Sequence, residues 1–411
     1  MYRTKSRTYH DPLHGAITLD GSDPTEALLI TVIDTPEFQR LRRIRQLDAA
    51  SLTFHGAEGS RFTHSLGVMA LTRRAFDRLA KVYPALLPHR LVVLTAALLH
   101  DVGHSAFSHG GEEMFGSNHE FWTKRLICES PLRAVLEKAH SGLNLPELLV
   151  AVYDKRYPLA LVHQIVSSQL DCDRLDYLQR DGYFTGARYG QLDLDRIVMA
   201  MDYDLVTQQL VVNPKGLVAI EHYLMVRYFM YAQVYNHPKN LASRFVLNKI
   251  IQRAKTVLDS GLPVDSVMAS WLRHDPQTLS CEDYLAFDDV VLLYHLHQWR
   301  RGNDQILADL CRRYLDRDIC KTQELSKYPE VERRKILQEW QIKLQERGLD
   351  PHYYCGRRVS LTKGYTLYSQ GIEVRTTHGL QDIANVSPVV ATLAQSVARE
   401  WLIYTPILTV T

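Results

Sequence analysis

Apolar residues recur along this chain mainly at three- and four-residue intervals, the spacing of one helix face. Phe38, Leu41, Ile44 and Leu47 make such a stripe. Before it, Asp34-Thr35-Pro36-Glu37 supplies an N-cap candidate, a proline near the first helical position and an acid in the first turn. A helix is therefore predicted over 38–47, with Arg40, Arg42, Arg43 and Arg45 on its other sides. Further helices are predicted over 63–82, 118–129, 159–177, 215–235, 241–258 and 329–347. The segment 91–99 is apolar nearly all round and predicts a buried helix. Strand-like alternation is sparse. The turn His10-Asp11-Pro12-Leu13-His14-Gly15 predicts a short strand after it. Residues 358–376 alternate through Val359, Leu361, Tyr365 and Leu367, with Gly364 and Gly371 as turns, and read as the core of a β-hairpin; 401–410 reads as a strand. The predicted fold is mainly α, with a helical core over 1–325 and a smaller mixed α/β C-terminal lobe over 326–411.

Composition narrows the class. A chain of 411 residues accommodates two or three domains and buries a core without staples. With 46% hydrophobic and 23% charged residues it is neither a disordered nor a collagen-like chain. Lys plus Arg number 48 and Asp plus Glu 46, so nothing global demands nucleic acid, and any anion site must be local. The six cysteines form no C-x-x-C pair, which fits reduced thiols in the cytoplasm better than a disulfide framework or a zinc knuckle. No apolar leader and no stretch of about 20 apolar residues predicts export or a membrane span.

The informative anomaly is histidine. Four of the 18 (His100, His104, His109, His119) crowd one segment. His100-Asp101 ends the apolar helix, and His104 falls on nearly the same face if the helix continues. Imidazole and carboxylate donors suit a divalent ion such as Fe, Mn, Zn, Ni or Mg. A helix C-cap histidine beside a capping aspartate is the competing reading. The balance shifts with His64 at a helix start and with Asp171, Asp173 and Asp176 in a mostly apolar helix, because buried carboxylates without partners are expensive. A cation shared by His64, His100, Asp101 and Asp173 would neutralise them.

At this point the chain resembles a known family. His64…His100-Asp101…Asp173 matches the H…HD…D signature of HD-domain phosphohydrolases. Arg61-Phe62-Thr63-His64-Ser65-Leu66-Gly67, His100-Asp101-Val102-Gly103-His104, His119-Glu120 and Asp173-Arg174-Leu175-Asp176-Tyr177, in that order, resemble the deoxynucleoside triphosphate (dNTP) triphosphohydrolases. The likeness runs over 9–240. It implies an HD-domain core and a divalent cofactor (Mn, Mg, Fe or Zn) on His64, His100, Asp101 and Asp173. It implies catalytic roles for His104, His109, His119 and Glu120, with Glu112 orienting His109 as the acid for the leaving 5′-oxygen. Substrate contacts are implied for Gln46, Leu47, Arg61, Arg174, Tyr177, Asp181, Arg227, Tyr235 and Asn236. Arg174 stands where relatives carry Lys, which changes a point charge into a fork, and Asn236 where they carry Gln. The implied products are a deoxynucleoside and inorganic triphosphate.

The resemblance further implies a homo-oligomer, dimer or tetramer, with a GTP or dNTP effector on Asp34, Gln39 and Arg42. Asp can accept from guanine N1–H and its amine while Arg meets O6 or N7; an N-cap aspartate and a solvated arginine are the plainer reading. The arginine run is read as a charged helix face rather than a nucleic-acid patch. Two rivals to the implied activity stay open: a phosphohydrolase for nucleoside monophosphates or another phosphorylated metabolite, and a nucleotide-binding sensor with little catalysis.

Overall fold

The helix predicted at 63–82 begins slightly earlier, at Arg61–Val82, and packs against Arg90–Leu99, whose residues from Val92 onward are all buried. The helix Cys172–Thr185 lies across the same long helix. These three share one hydrophobic core with Ile17, Leu19, Phe38 and Leu41, each fully buried side chain of this size contributing about 1.5–3 kcal/mol. A second core gathers Trp122, Trp271, Tyr284 and Trp299 among the helices His119–Glu129, Ser266–Arg273 and Asp289–Trp299. The computed structural model describes residues 5–138, 142–366 and 371–406. It is mainly helical, with a mixed α/β C-terminal region. No described helix is long and apolar enough to cross a membrane.

Where the structure departs from the pattern, a cross-chain bond or a cap is the cause. Residues 38–47 are not one helix. A short helix, Pro36–Gln39, and a 3₁₀ turn, Arg40–Arg43, give way to extended chain. Arg45 bridges to Ser60, Gln46 N–H donates to Gly59 O, and Arg61 N–H donates to Ile44 O. The predicted helix at 159–177 is two, Ala160–Val166 and Cys172–Thr185. Asp171 divides them, its carboxylate accepting from the backbone N–H of Ser168 and of Arg174 as an N-cap. The helix at 91–99 also stops at Leu99, so His104 follows a turn rather than a continued helix. The stretch 215–235 divides into Leu217–Met230 and a π turn, Tyr231–Tyr235, a form that often marks functional sites.

The alternation after Arg358 is real, but it is not a hairpin. Cys355–Thr362 pairs antiparallel with Val397–Tyr404, which also pairs with Lys321–Glu324. Glu373–Thr376 pairs with Gly379–Asp382 and, in parallel, with Gln209–Val212. Gln209–Val212 belongs to a hairpin with Met201–Asp204, two four-residue strands too short to announce themselves in the pattern. Leu367 and residues 407–410, on which part of those strand expectations rested, lie outside the described residues. At the other end, Arg7–Asp11 pairs with Gly15–Leu19 around the expected turn, so a strand precedes it as well.

Candidate active site

The three core helices meet at their polar ends. His64, in the first turn of Arg61–Val82, is fully buried; His100 and Asp101 leave the end of Arg90–Leu99; Asp173 opens Cys172–Thr185. His64 Nε2 lies 3.1 Å from Asp173 Oδ1, 3.5 Å from Asp101 Oδ2 and 3.3 Å from His100 Nε2. His100 Nε2 is 3.4 Å from Asp101 Oδ1 and 3.6 Å from Asp173 Oδ1. Both imidazoles are held by their other nitrogen. His64 Nδ1 donates to Asp176 Oδ2 at 2.8 Å, and His100 Nδ1 donates to Ala97 O at 2.9 Å. Each Nε2 therefore keeps its lone pair for the shared centre.

This donor set fits a divalent ion. Burial works against a charge on His64, yet hydrogen bonds to Asp173 and Asp176 push its pKa up to about 10. The surrounding carboxylates thus favour a positive charge at this point, which a divalent ion would supply. Burial likewise opposes the Asp173 carboxylate, but His100 and His64 hold it below the ordinary range. Arg61 completes the charge balance, its Nη1 at 2.5 Å from Asp101 Oδ2 and its Nε donating to Ser108 Oγ.

A second cluster adjoins the first. His104 is buried, stacks on His119 at 4.0 Å between ring centroids and meets His109 edge-on at 5.0 Å. Its Nε2 lies 3.4 Å from Asp101 Oδ1 without a hydrogen bond, and neither ring nitrogen has a partner. Burial, with the neighbouring Arg61 and His119 charges, pushes its pKa well down, so the ring is neutral. Glu112 spans the other two rings, accepting at 2.6 Å from Nδ1 of both His109 and His119. Burial opposes that carboxylate, but those two bonds hold it ionised far below its ordinary range. Glu120 is exposed and lines a pocket with His100, Asp101 and His119.

On the far side stand aromatic and cationic groups. Tyr235 OH donates to Asp181 Oδ2 at 2.7 Å, and burial pushes the Asp181 carboxyl up to about 7. The Tyr177 ring lies 6.5 Å from His64 and 6.0 Å from Tyr235. Leu47 packs with Ala50, Ala57 and Tyr235 in a small apolar cluster, and the neighbouring Gln46 keeps its side-chain oxygen buried and unpartnered. Arg174 is ion-paired with Asp171, while Arg227 Nη1 donates to Gln169 Oε1 at 2.7 Å; the Nε of each lacks a partner. Asn236 spends its amide on Leu361 O and Thr362 Oγ1 of the C-terminal sheet.

The HD domain family matches residues 61–181, and the HD associated region matches residues 192–407. YwfO of Bacillus subtilis is 35% identical over 98% of this chain and 93% of its own length. Human deoxynucleoside triphosphate triphosphohydrolase SAMHD1 is 33% identical over 44% of this chain and 33% of its own length. The chain belongs to the HD-domain, dNTPase-like family. Its superfamily, the HD-domain phosphohydrolases, is metal-dependent. Among solved structures, a phosphohydrolase from Bacteroides thetaiotaomicron aligns with a TM-score of 0.85 at 27% identity, covering 98% of this chain and 100% of its own.

In this HD-domain chain Gln39 and Arg42, two of the three residues expected to hold an effector, contact each other, and Gln39 also donates to Ile33 O, next to Asp34. Asp34 pairs with Arg7, Gln39 Oε1 accepts from Arg42 Nε at 2.8 Å, and the Arg42 guanidinium lies 3.6 Å over the Phe62 ring. Phe62 follows Arg61, so the Arg42 guanidinium sits against the helix Arg61–Val82, which also carries His64.

The sequence reading counted Asp176 only among three costly carboxylates, without its supporting role, and gave Asp289 no role. Asp176 lies one helical turn after Asp173 on the same face, a spacing that could have flagged it. Gly67 is needed beside it, since a Cβ there would collide with Asp176 Oδ1 and Arg180 Nη2. Gly67→Ala is expected to destabilise the protein by about 1–3 kcal/mol, as overpacking does, and to lower its melting temperature. Asp289, from the HD associated region, accepts from Phe107 N–H at 2.8 Å and Arg45 N–H at 3.1 Å. It thereby holds Phe107 and Ser108, whose φ of 58° and 52° are left-handed and strained for such residues, just before His109.

Burial pushes Asp289 up to about 7, above an ordinary carboxyl. A carboxyl raised on folding contributes stability in full below its unfolded pKa near 4 and loses it as pH rises through about 7. Asp289→Asn removes that titration. Urea denaturation between pH 4 and 7.5 should show a shallower fall in stability for the variant than for the wild type.

Proposed function

We propose that the protein hydrolyses deoxynucleoside triphosphates to deoxynucleoside and inorganic triphosphate. The observation that carries this reading is the meeting of His64, His100, Asp101 and Asp173, each Nε2 freed by a bond at Nδ1, beside a Glu112-bridged histidine cluster. A divalent ion held by those four residues would polarise a phosphoryl oxygen and lower the pKa of the attacking water.

The chain's own residues supply the rest. Arg61, Arg174 and Arg227 gather the polyphosphate, and the unpartnered nitrogens of Arg174 and Arg227 favour that role. His104, neutral and without a ring partner, turns an N–H to the α-phosphoryl oxygens. Glu112 holds His109 by Nδ1, and Nε2 donates the proton to the departing 5′-oxygen. His119, steadied by the same carboxylate, and Glu120 line the space around the phosphates. Tyr177 and Asp181 take the sugar 3′-hydroxyl. Leu47, packed with Tyr235, and Gln46 would meet the deoxyribose where a 2′-hydroxyl would clash, and Asn236 would lie toward the base. The oxygen of water forms a bond to the α-phosphorus as the bond from phosphorus to O5′ breaks.

SAMHD1 carries the name of the same reaction, and the HD domain family that this chain matches over residues 61–181 spans His64, His100, Asp101 and Asp173. Regulation of a homo-oligomer by a GTP or dNTP effector at Asp34, Gln39 and Arg42 belongs to the same reading, as does a cytoplasmic setting.

The test is incubation with each of the four dNTPs, with and without GTP, in Mn²⁺ or Mg²⁺, alongside a panel of nucleoside monophosphates. Turnover of dNTPs that stops on chelation is expected. Turnover of monophosphates alone would replace this substrate class with the rival one, and nucleotide binding without turnover would favour a sensor.

A further inference from the structure

Behind His64 lies a buried network that the reaction does not touch. Asp176 is completely buried, and each of its oxygens takes two donors. Oδ2 accepts from His64 Nδ1 at 2.8 Å and Arg180 Nε at 2.7 Å. Oδ1 accepts from Arg180 Nη2 at 3.0 Å and His14 Nε2 at 2.6 Å. A carboxylate offers about four lone-pair sites, so this one is saturated, and His14 carries its proton on Nε2. His14 is delivered by the turn of the first hairpin. Asp11 closes that turn by accepting from Leu13 N–H and His14 N–H, and pairs with Arg180 at 2.8 Å. The imidazole of His14 also lines a surface pocket with Arg73 and Gln179, which Asp176 behind it does not reach.

We infer that His14 is a positioning residue of the metal centre: it fixes the Asp176 carboxylate and shields it from solvent, and that carboxylate fixes the ring of His64 with Nε2 toward the ion. This rests on His64 being a metal ligand, the reading proposed above. Such supporting partners set ligand orientation and basicity, and their loss typically weakens metal binding by about 10–100-fold. The Asp176 bond to Arg180 survives without His14. A bare carboxylate edge then faces the pocket, however, and water can draw it away from His64.

The experiment is Mn²⁺ titration of the full-length protein, free Mn²⁺ being read by electron paramagnetic resonance, with thermal melting in parallel. His14→Leu fills the space but has no donor; His14→Gln keeps an N–H of similar reach. The inference expects Mn²⁺ affinity to fall by about tenfold or more in the leucine variant, and to stay near the wild-type value in the glutamine variant. Wild-type affinity in the leucine variant would overturn it. So would a glutamine variant as weak as the leucine one, a comparison with the wild type that stands on its own if the leucine variant does not fold. A wild-type protein that takes up no Mn²⁺ would overturn the metal centre itself, a failure visible before any variant is made.

Discussion

Asp173→Ala is expected to lose bound divalent metal and turnover together. Asp173 Oδ1 contacts both His64 Nε2 and His100 Nε2, at 3.1 and 3.6 Å. It is the carboxylate that brings the third core helix to the centre. Removing a supporting partner of a metal ligand already costs about 10–100-fold in affinity, so loss of a ligand should reach at least the upper end of that range. Asp173 starts its helix beside the N-cap Asp171, whose capping bonds do not involve it, so the helix should survive. Elemental analysis after dialysis, paired with a dNTP assay, is the check. A full metal complement in the variant would remove Asp173 from the ligand set.

His109→Ala should behave differently, retaining metal while its rate falls by about 100-fold or more, the scale of a positioned general acid. None of its contacts reaches His64, His100, Asp101 or Asp173; its partners are Glu112 and the rings of His104 and His119. Its side chain is 60% exposed, so truncation creates no cavity and the fold should hold. Glu112→Gln offers an inner control. It leaves one acceptor oxygen where the two rings each donate to their own, so the bridge between His109 and His119 is lost, and it should lower the rate without releasing the ion. An unchanged rate in His109→Ala would exclude it as the proton donor.

The two variants separate what could be read in the chain from what could not. The set His64, His100-Asp101 and Asp173 was legible because the four stand in the order of a known motif and because His100-Asp101 end a strongly apolar helix, where a polar residue needs a reason. The structure places these four together. The helices themselves followed from their stripes, as in Arg61–Val82 and Arg90–Leu99. Periodicity failed where a tertiary bond competed with it. The Arg45–Ser60 bridge straightened the end of 38–47, and the Asp171 cap cut 159–177 in two. Cys355–Thr362 found its partner at Val397–Tyr404 and Glu373–Thr376 found a second one at Gln209–Val212, beyond the reach of any local pattern. Asp176, His14 and Asp289 were hidden for a related reason. Each acts through a contact more than 100 residues distant in sequence, so even Asp176, visible one turn after Asp173, could not be given its partner.

The central claim is that water attacks the α-phosphorus of a dNTP bound at the His64, His100, Asp101 and Asp173 centre, with release of the 5′-oxygen. Hydrolysis in ¹⁸O-labelled water with Mn²⁺, followed by mass spectrometry of both products, tests it most directly. The account predicts one labelled oxygen in the triphosphate and none in the deoxynucleoside. Label in the deoxynucleoside, or release of monophosphate with pyrophosphate, would contradict it.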